Sequence, residues 1–167
     1  MLNDELYCFY FVPIFMVHGF VVVNIEKPLM KRNGMQKFSG TKPKLGITML
    51  ATCNTLPPSQ LAQEVEGRGF DSLWLPEHSH IPSSRATPFP GAAPGREELP
   101  DVYWNLNDQL VALAMAAAVT EDLILGTAVT LVAQHDPIWL AKQLATLDFH
   151  SQGRLEVGVG FGWNREE

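Results

Sequence analysis

The sequence has little cysteine and little charge, and each shortage excludes a class of protein. Two cysteines, Cys8 and Cys53, are too few for a disulfide framework or a cysteine-built zinc site, and their scarcity favours a reducing, cytoplasmic compartment. Charged residues make up 18% of the chain against 46% apolar residues, which excludes an intrinsically disordered protein. The 13 glycines and 12 prolines follow no repeating period, which excludes a fibrous protein. The 167 residues fit one folded domain of roughly 100–200 residues.

Positive charge is scarce over most of the chain, whose formal net charge is −6. Residues 1–44 carry six basic and three acidic residues, a net charge of +3, whereas residues 45–167 carry six basic and fifteen acidic residues, a net charge of −9. An acidic body repels the phosphates of nucleic acids. We therefore expect no nucleic-acid partner.

The N-terminal region contains the one long uncharged run. Residues 6–23 lack formal charge, and this length is near the ~20 apolar residues of a membrane helix. Pro13, His18 and Gly19 interrupt the run, acidic residues precede it, and no small-residue cleavage site of a signal peptide follows it. We expect residues 1–43 to be a poorly ordered hydrophobic and basic extension outside the fold, without stable membrane association.

From Lys44 onwards, short apolar runs alternate with helical patterns. Because the runs are apolar throughout and helical segments separate them, they predict a parallel α/β sheet with right-handed crossovers. A stretch rich in proline, glycine and serine, residues 76–104, has the length of a functional loop. The predicted strands are residues 45–50, 70–75, 123–131 and 154–159, and the predicted helices are residues 58–66, 108–120 and 136–149.

Titratable residues follow the second predicted strand, at an end where parallel sheets carry their functional side chains. Glu77, His78 and His80 lie there. A histidine titrates near neutral pH and can pass a proton to a reacting centre. The two histidines could instead hold a metal, as in metal-dependent hydrolases, although the fourth strand end brings no further ligand of that kind.

Small residues mark the third and fourth strands. The run 158–164 is not a dinucleotide fingerprint, because Trp163 and Arg165 stand where a third glycine is needed. A tight turn and the close approach of a flat ligand both fit this run. In the third strand, residues 126–129 fit a bulge beside a site or an ordinary buried strand equally well.

Three segments carry a family resemblance: LWLPEH at 73–78, LGTAVTLVAQHDPIWLAKQLATLD at 125–148, and GRLEVGVGFGWNREE at 153–167. Together they resemble the luciferase-like monooxygenase family of flavin and deazaflavin oxidoreductases, and within it the coenzyme F420-dependent subgroup. The resemblance runs from about residue 44 to residue 167. It implies a (β/α)8 TIM barrel with its ring cofactor at the carboxyl ends of the strands, of which residues 44–167 would form the N-terminal half, four β-α units.

The resemblance also implies roles for individual residues. His78 would lie beside the deazaflavin ring as a catalytic residue, with Glu77 as the acidic residue before it. Ala128–Val129 would be the non-proline cis peptide of a bulge that backs the ring. Trp163 stands where sugar-phosphate dehydrogenases of the family have a glutamate, which argues against a sugar-phosphate substrate. The cofactor-binding positions implied in this way are Ala128, Val129, Leu131, Gly160, Gly162 and Trp163, and no metal site is implied.

The resemblance thus implies hydride transfer between coenzyme F420 and a small organic substrate. An FMN-dependent monooxygenase that uses molecular oxygen, a metal-dependent hydrolase built on His78 and His80, and a non-catalytic remnant are the alternatives. The parent enzyme is expected to be a homo-oligomer. Half a barrel would lack the phosphate-binding positions after strands seven and eight and would expose apolar surface at its fourth strand. We therefore expect the 167-residue polypeptide alone to be poorly soluble and inactive.

Overall fold

The computed structural model describes residues 20–24, 44–90 and 98–167, with residues 20–24 described by their backbone alone. The expected disorder of residues 1–43 therefore falls almost wholly outside the described residues. The strands are β1 (Phe20–Asn24), β2 (Lys44–Thr48), β3 (Ser72–Leu75), β4 (Ile124–Leu131) and β5 (Leu155–Gly160). The α-helices are α1 (Pro58–Gly67), α2 (Gln109–Ala117) and α3 (Pro137–His150), and short 3-10 helices span Asp101–Asn105 and Val132–Gln134.

The strands form a single sheet in the order β1-β2-β3-β4-β5. Strands β2 to β5 are parallel neighbours, and α1, α2 and α3 connect them in sequence. This arrangement confirms the predicted α/β fold with four parallel strands. Strand β1 was not predicted; it lies inside the proposed extension and pairs antiparallel with β2, with Phe20 opposite Thr48. The domain boundary at residue 44 stays a prediction.

Two helices begin at capping aspartates, close to the predicted starts at residues 108 and 136. The Asp108 carboxylate accepts a hydrogen bond from the Val111 N–H at 2.8 Å, at the start of α2. The Asp136 carboxylate accepts from the backbone N–H groups of residues 138 and 139, both at 3.0 Å, with Pro137 at the first helical position. Such side chains satisfy backbone donors that the helix itself leaves without partners.

The apolar core lies between one face of the sheet and the helices. Leu73 and Leu75 of β3 point to this face, and both are buried. Helix α1 contributes the buried side chains of Leu61, Ala62 and Val65. The other buried members of this core include Ala112, Leu113, Ala116, Leu123, Leu125 and Leu147.

The indole of Trp74 covers the opposite face of β3. Its Nε1–H donates to the Ser72 hydroxyl at 2.8 Å, and only 7% of the residue is exposed. The neighbouring strands make room for it, because a Cβ built on Gly126 would lie 2.1 Å from the indole ring. Gly46, on the other side, has no room for a Cβ beside the Ser72 hydroxyl. Glycines at both positions therefore let the sheet accept this large side chain.

A carboxylate joins the end of α1 to the start of β4. One oxygen of Glu66 accepts from the backbone N–H groups of Glu121, Asp122 and Leu123, at 3.0, 2.8 and 2.9 Å. Burial raises the pKa of Glu66, but these three hydrogen bonds and the nearby charge of Arg154 outweigh that effect and hold the pKa below its usual value.

A guanidinium group holds the start of β5 against the end of α2. Arg154 donates from all three of its side-chain nitrogens, so that every nitrogen has a partner in the protein. Five oxygens accept from it: those of the Ser151, Ala117, Thr120 and Leu123 carbonyls and the Thr120 hydroxyl, at 2.7–3.1 Å. The contacts fix the direction in which β5 enters the sheet.

Strand β5 is an edge strand of the described sheet and exposes apolar side chains. Val157, Val159 and Phe161 are 41%, 63% and 87% exposed. This exposure confirms the prediction of an uncovered apolar surface at the fourth parallel strand.

We predict that Gly126→Ala destabilises the fold, because its methyl group would overlap the indole of Trp74. An overpacked interior of this kind costs about 1–3 kcal/mol. Gly67→Ala is the matched control, since a Cβ at Gly67 meets no atom within 4 Å. Urea denaturation of both variants, made in the protein at its native length, gives their free energies of unfolding. Equal stability of the two would contradict the placement of Trp74.

We also predict a pH-dependent effect of Glu66→Gln. Because the folded-state pKa of Glu66 lies below its usual value of 4.5, its contribution is present above that pH and is lost as the pH falls through the folded-state pKa. Near neutral pH the variant should lose about 1 kcal/mol, a modest figure because the carboxylate is partly exposed. Urea unfolding along a pH series tests this.

Glu64→Gln is the control, because the exposed Glu64 carboxylate binds Arg68, directly after α1, and no other group among the described side-chain hydrogen bonds. An Arg68–Glu64 pair of this kind contributes little. A stability gap between wild type and Glu66→Gln that stays constant down to acidic pH would contradict the assignment.

Candidate functional site

An aromatic cluster lies where the chain leaves β3 and β5. The rings of His78 and Trp163 meet edge to face, with their centroids 5.8 Å apart. Tyr103, from the short 3-10 helix, lies 5.4 Å from the His78 ring, and burial raises its pKa. Phe89 contacts both Tyr103 and Trp163 at 5.4 and 5.6 Å. The loop predicted as functional, residues 76–104, thus supplies three of the four rings of this cluster, which consists of His78, Phe89, Tyr103 and Trp163.

A buried carboxylate contacts the imidazole of His78. The Nδ1 atom of His78 lies 2.7 Å from one side-chain oxygen of Glu167, and the other oxygen accepts from the Ser79 N–H at 2.8 Å. The two side chains are only 7% and 2% exposed. His78 was predicted as a site residue, but Glu167 was not. Glu167 ends the segment 153–167 that carries the family resemblance, but nothing in that segment indicates a partner 89 residues away along the chain.

The second predicted catalytic residue, Glu77, joins the ends of two strands. One oxygen of its side chain lies 2.7 Å from Nε2 of His135, and the other accepts from the backbone N–H of Leu131. Leu131 was predicted to contact the cofactor; its backbone N–H donates to Glu77, and its contact with a cofactor stays a prediction. Because both carboxylate oxygens of Glu77 bind protein groups, its role in the structure is to position the end of β4. A catalytic role for Glu77 stays a prediction.

Strand β4 carries the predicted irregularity. The Ala128–Val129 peptide bond is cis, and the register between β4 and β5 shifts between Thr127 and Thr130. The two observations confirm the non-proline cis peptide and the bulge that the family resemblance indicates. The Val129 side chain beside this bond is 37% exposed, so it offers an apolar surface.

A buried amide that the sequence analysis missed holds the bulge in place. Gln109 is 2% exposed and stands at the first position of α2. Its amide nitrogen donates to the carbonyls of Leu75 and Val129, at 2.6 and 3.4 Å, and its oxygen accepts from the Thr130 hydroxyl at 2.9 Å. Its only sequence signal is a polar residue directly after the Asp108 cap, which is too common to indicate a site.

The glycines of β5 fit closely against this bulge. A Cβ on Gly158 would lie 2.5 Å from the Thr127 carbonyl oxygen, and one on Gly160 would lie 2.4 Å from a methyl group of Val129. Gly162 has a φ of +75°, as the tight-turn interpretation of this run requires. Packing against β4 therefore explains Gly158 and Gly160 without a ligand, and contact of Gly160 and Gly162 with a cofactor stays a prediction.

The next polar side chain after Trp163 is buried without a partner. Asn164 is 7% exposed, and neither its amide nitrogen nor its amide oxygen makes a hydrogen bond within the described residues. An unpaired buried amide costs about 1–3 kcal/mol. The amide of Asn164 therefore holds a donor and an acceptor that the described residues leave unsatisfied.

The two histidines of the second strand end have different partners. His80 is exposed, and its Nδ1 lies 2.9 Å from the hydroxyl of Ser79, whereas His78 contacts Glu167. Over residues 44–90 and 98–167, no three histidine, cysteine or acidic side chains lie close enough together to hold a metal ion. In the same part of the chain, no helix has the length and apolar content to cross a bilayer.

Known proteins resemble this chain over most of its length. Residues 59–167 match the model of the luciferase-like monooxygenase family. An uncharacterised protein of Mycobacterium tuberculosis is 44% identical over 123 residues, which are 73% of this chain and 43% of that protein. The 4-hydroxyprotoasukamycin monooxygenase of Streptomyces nodosus subsp. asukaensis is 28% identical over 103 residues, which are 62% of this chain and 22% of that enzyme.

A solved structure shares the fold. The coenzyme F420-dependent tetrahydromethanopterin reductase of Methanopyrus kandleri superposes with a TM-score of 0.51 at 25% identity, over 70% of this chain and 26% of the reductase. The chain spans less than half the length of each of these three proteins. These matches confirm the predicted partial barrel fold and the resemblance read from the three segments. The chain belongs to the luciferase-like monooxygenase family.

Proposed function

We propose that this chain is part of an oxidoreductase that transfers a hydride between coenzyme F420 and a small organic substrate. The observation that carries the proposal is the convergence of three strand ends. His78 after β3, the half-exposed Val129 at the cis step of β4, and Trp163 after β5 stand at the same edge of the sheet. Parallel α/β folds place their functional groups at this edge.

The residues at this edge fit a flat heteroaromatic ring with polar margins. Val129 would lie against the ring face, Trp163 and His78 would lie at its side, and the unpartnered amide of Asn164 would pair with polar groups at its margin. A hydrogen-bonding ligand would relieve the cost of leaving that amide unpaired. When bound, coenzyme F420 supplies hydride transfer, and the protein's part is to orient ring and substrate.

His78 is the residue proposed to handle the proton that accompanies the hydride. Its Nδ1 is bound to Glu167, so Nε2 is the nitrogen left for a substrate. Within the described residues, no hydrogen bond reaches Nε2. Tyr103 and Phe89 cover the imidazole and the indole beside it, and this cover keeps water away from the reacting groups.

The identity of the cofactor is proposed from two kinds of support. The resemblance in the three sequence segments points to the coenzyme F420-dependent subgroup, and the superposed reductase of Methanopyrus kandleri is coenzyme F420-dependent. Trp163, in place of a glutamate, argues for a substrate other than a sugar phosphate. A cytoplasmic location and a homo-oligomeric parent enzyme complete this proposal.

The second candidate is an FMN-dependent monooxygenase. The observation in its favour is the 28% identity to the 4-hydroxyprotoasukamycin monooxygenase over 103 residues. The same strand ends would then hold a flavin, and molecular oxygen would be the co-substrate. The two candidates differ in which ring the site prefers, so binding separates them.

A cofactor titration tests the proposal. Coenzyme F420 and FMN are added in turn to the protein at its native length, and the change in ligand fluorescence gives each dissociation constant. We predict that coenzyme F420 binds at least about tenfold more tightly, a difference of about 1.4 kcal/mol. Tighter binding of FMN would favour the monooxygenase, and binding of neither would contradict both candidates.

A pair of glycine variants shows whether the titrated site is this one. Gly160→Ala should weaken cofactor binding, because the new methyl group would displace the Val129 side chain that lies 2.4 Å from it. Gly67→Ala, at the far end of α1, should leave binding unchanged. Equal affinity of the two variants would place the ring elsewhere.

A further inference from the structure

We propose that Glu167 is a positioning residue for His78: it holds the imidazole in the tautomer protonated at Nδ1, so that Nε2 presents a lone pair to the ligand. The inference rests on the proposed function only for the nature of that ligand. Glu167 lies outside the positions that the family resemblance indicates as functional.

The contact is close and nearly sealed from solvent. The Nδ1 of His78 and a carboxylate oxygen of Glu167 are 2.7 Å apart, within the range of a charge-assisted hydrogen bond. The two side chains are 7% and 2% exposed, so little water competes for either group. The second carboxylate oxygen accepts from the Ser79 N–H at 2.8 Å, which fixes the plane of the carboxylate as well as its position.

The chemistry of the partner decides the tautomer. An ionised carboxylate only accepts hydrogen bonds, so the nitrogen that faces it must carry the proton. In the neutral imidazole one nitrogen carries hydrogen and the other a lone pair. With hydrogen on Nδ1 of His78, the lone pair is on Nε2, where a ligand can give up a proton or donate a hydrogen bond.

The surroundings of His78 oppose a flip of its ring. Tyr103 and Trp163 contact the imidazole edge to face, at 5.4 and 5.8 Å, with interplanar angles of 73° in both cases. A rotation that exchanged Nδ1 and Nε2 would break the bond to Glu167 and leave a buried carboxylate short of a donor. Removal of a donor from a buried charged group is strongly unfavourable.

The adjacent carboxylate performs a different task and so provides a control. Glu166 accepts from the Ala86 and Thr87 N–H groups at 2.8 and 3.1 Å, and it holds the later part of the same loop. Hydrogen bonding from the Thr87 side chain, followed by that from the Ala86 N–H, lowers the pKa of Glu166 to about 2. It makes no contact with the imidazole of His78 among the described hydrogen bonds.

Nitrogen NMR of the imidazole tests the proposal directly. The protein at its native length is labelled with 15N in its histidine rings, and long-range 1H–15N spectra are recorded about two pH units above the ordinary histidine pKa. His78→Gln assigns the signals. We expect the wild-type ring of His78 to carry its proton on Nδ1, and Glu167→Gln to shift the population towards Nε2–H, because an amide can donate to Nδ1.

Glu166→Gln makes the same chemical change one residue away and should leave the His78 tautomer as in wild type. Glu167→Asp keeps the charge and should retain at least part of the Nδ1–H population. If Glu167→Gln fails to fold, the wild-type spectrum and Glu167→Asp still decide. A wild-type ring protonated at Nε2, or an unchanged tautomer in Glu167→Gln, would overturn the proposal. Because no cofactor is added, failure here is separate from failure of the cofactor titration.

Discussion

Two largely buried carboxylates hold the ends of the parallel strands together. Glu77 uses one oxygen for His135 and the other for the Leu131 N–H, and it thereby fixes the end of β4 relative to the end of β3. Glu167 does the same between β3 and the loop after β5, through His78 and the Ser79 N–H. A buried ionised carboxylate needs hydrogen-bond donors, and Glu77 and Glu167 each find them on a segment that follows another strand.

The bulge of β4 depends on this arrangement and on close packing from both sides. Gln109 binds the carbonyls of Leu75 and Val129 from one side. Gly158 and Gly160 leave the space that the bulge fills from the other side. The half-exposed Val129 therefore has hydrogen-bonded and closely packed neighbours on both sides. A rigid apolar surface beside a fixed histidine suits the alignment of a flat ring with a substrate, since small displacements of reacting groups lower rates strongly.

Sequence patterns were sufficient for the local features of this fold. The apolar runs predict the four parallel strands, and the helical patterns from residues 108 and 136 predict where α2 and α3 begin. The family resemblance predicts the cis step at Ala128–Val129. These features are encoded within a few residues of one another, so that a short segment carries the whole signal.

Contacts between distant segments were beyond such patterns. Glu167 and His78 are 89 residues apart, and a glutamate near a glycine run has many possible partners. Gln109 was missed because its three hydrogen bonds depend on where α2 packs against β3 and β4. Strand β1 was missed because it lies in residues 1–43, which the sequence analysis predicts to be outside the fold. Its pairing with β2 is a contact between separate segments that the local sequence does not indicate. For the glycine run the sequence left a tight turn and a flat ligand open, and the close packing of Gly158 and Gly160 against the Thr127 carbonyl and Val129 was not predicted.

We propose that the ends of β3, β4 and β5, held by Glu77 and Glu167, form the site of a flat redox cofactor. The position of the cofactor ring can be determined in a crystal structure of the protein at its native length. The ligand in the crystal should be whichever of coenzyme F420 and FMN binds more tightly. We predict that the cofactor ring lies against the Val129 side chain. Nε2 of His78 should face the ligand, and Nδ1 should remain hydrogen-bonded to Glu167. A ring bound at any other edge of the sheet, or His78 turned away from Glu167, would contradict it.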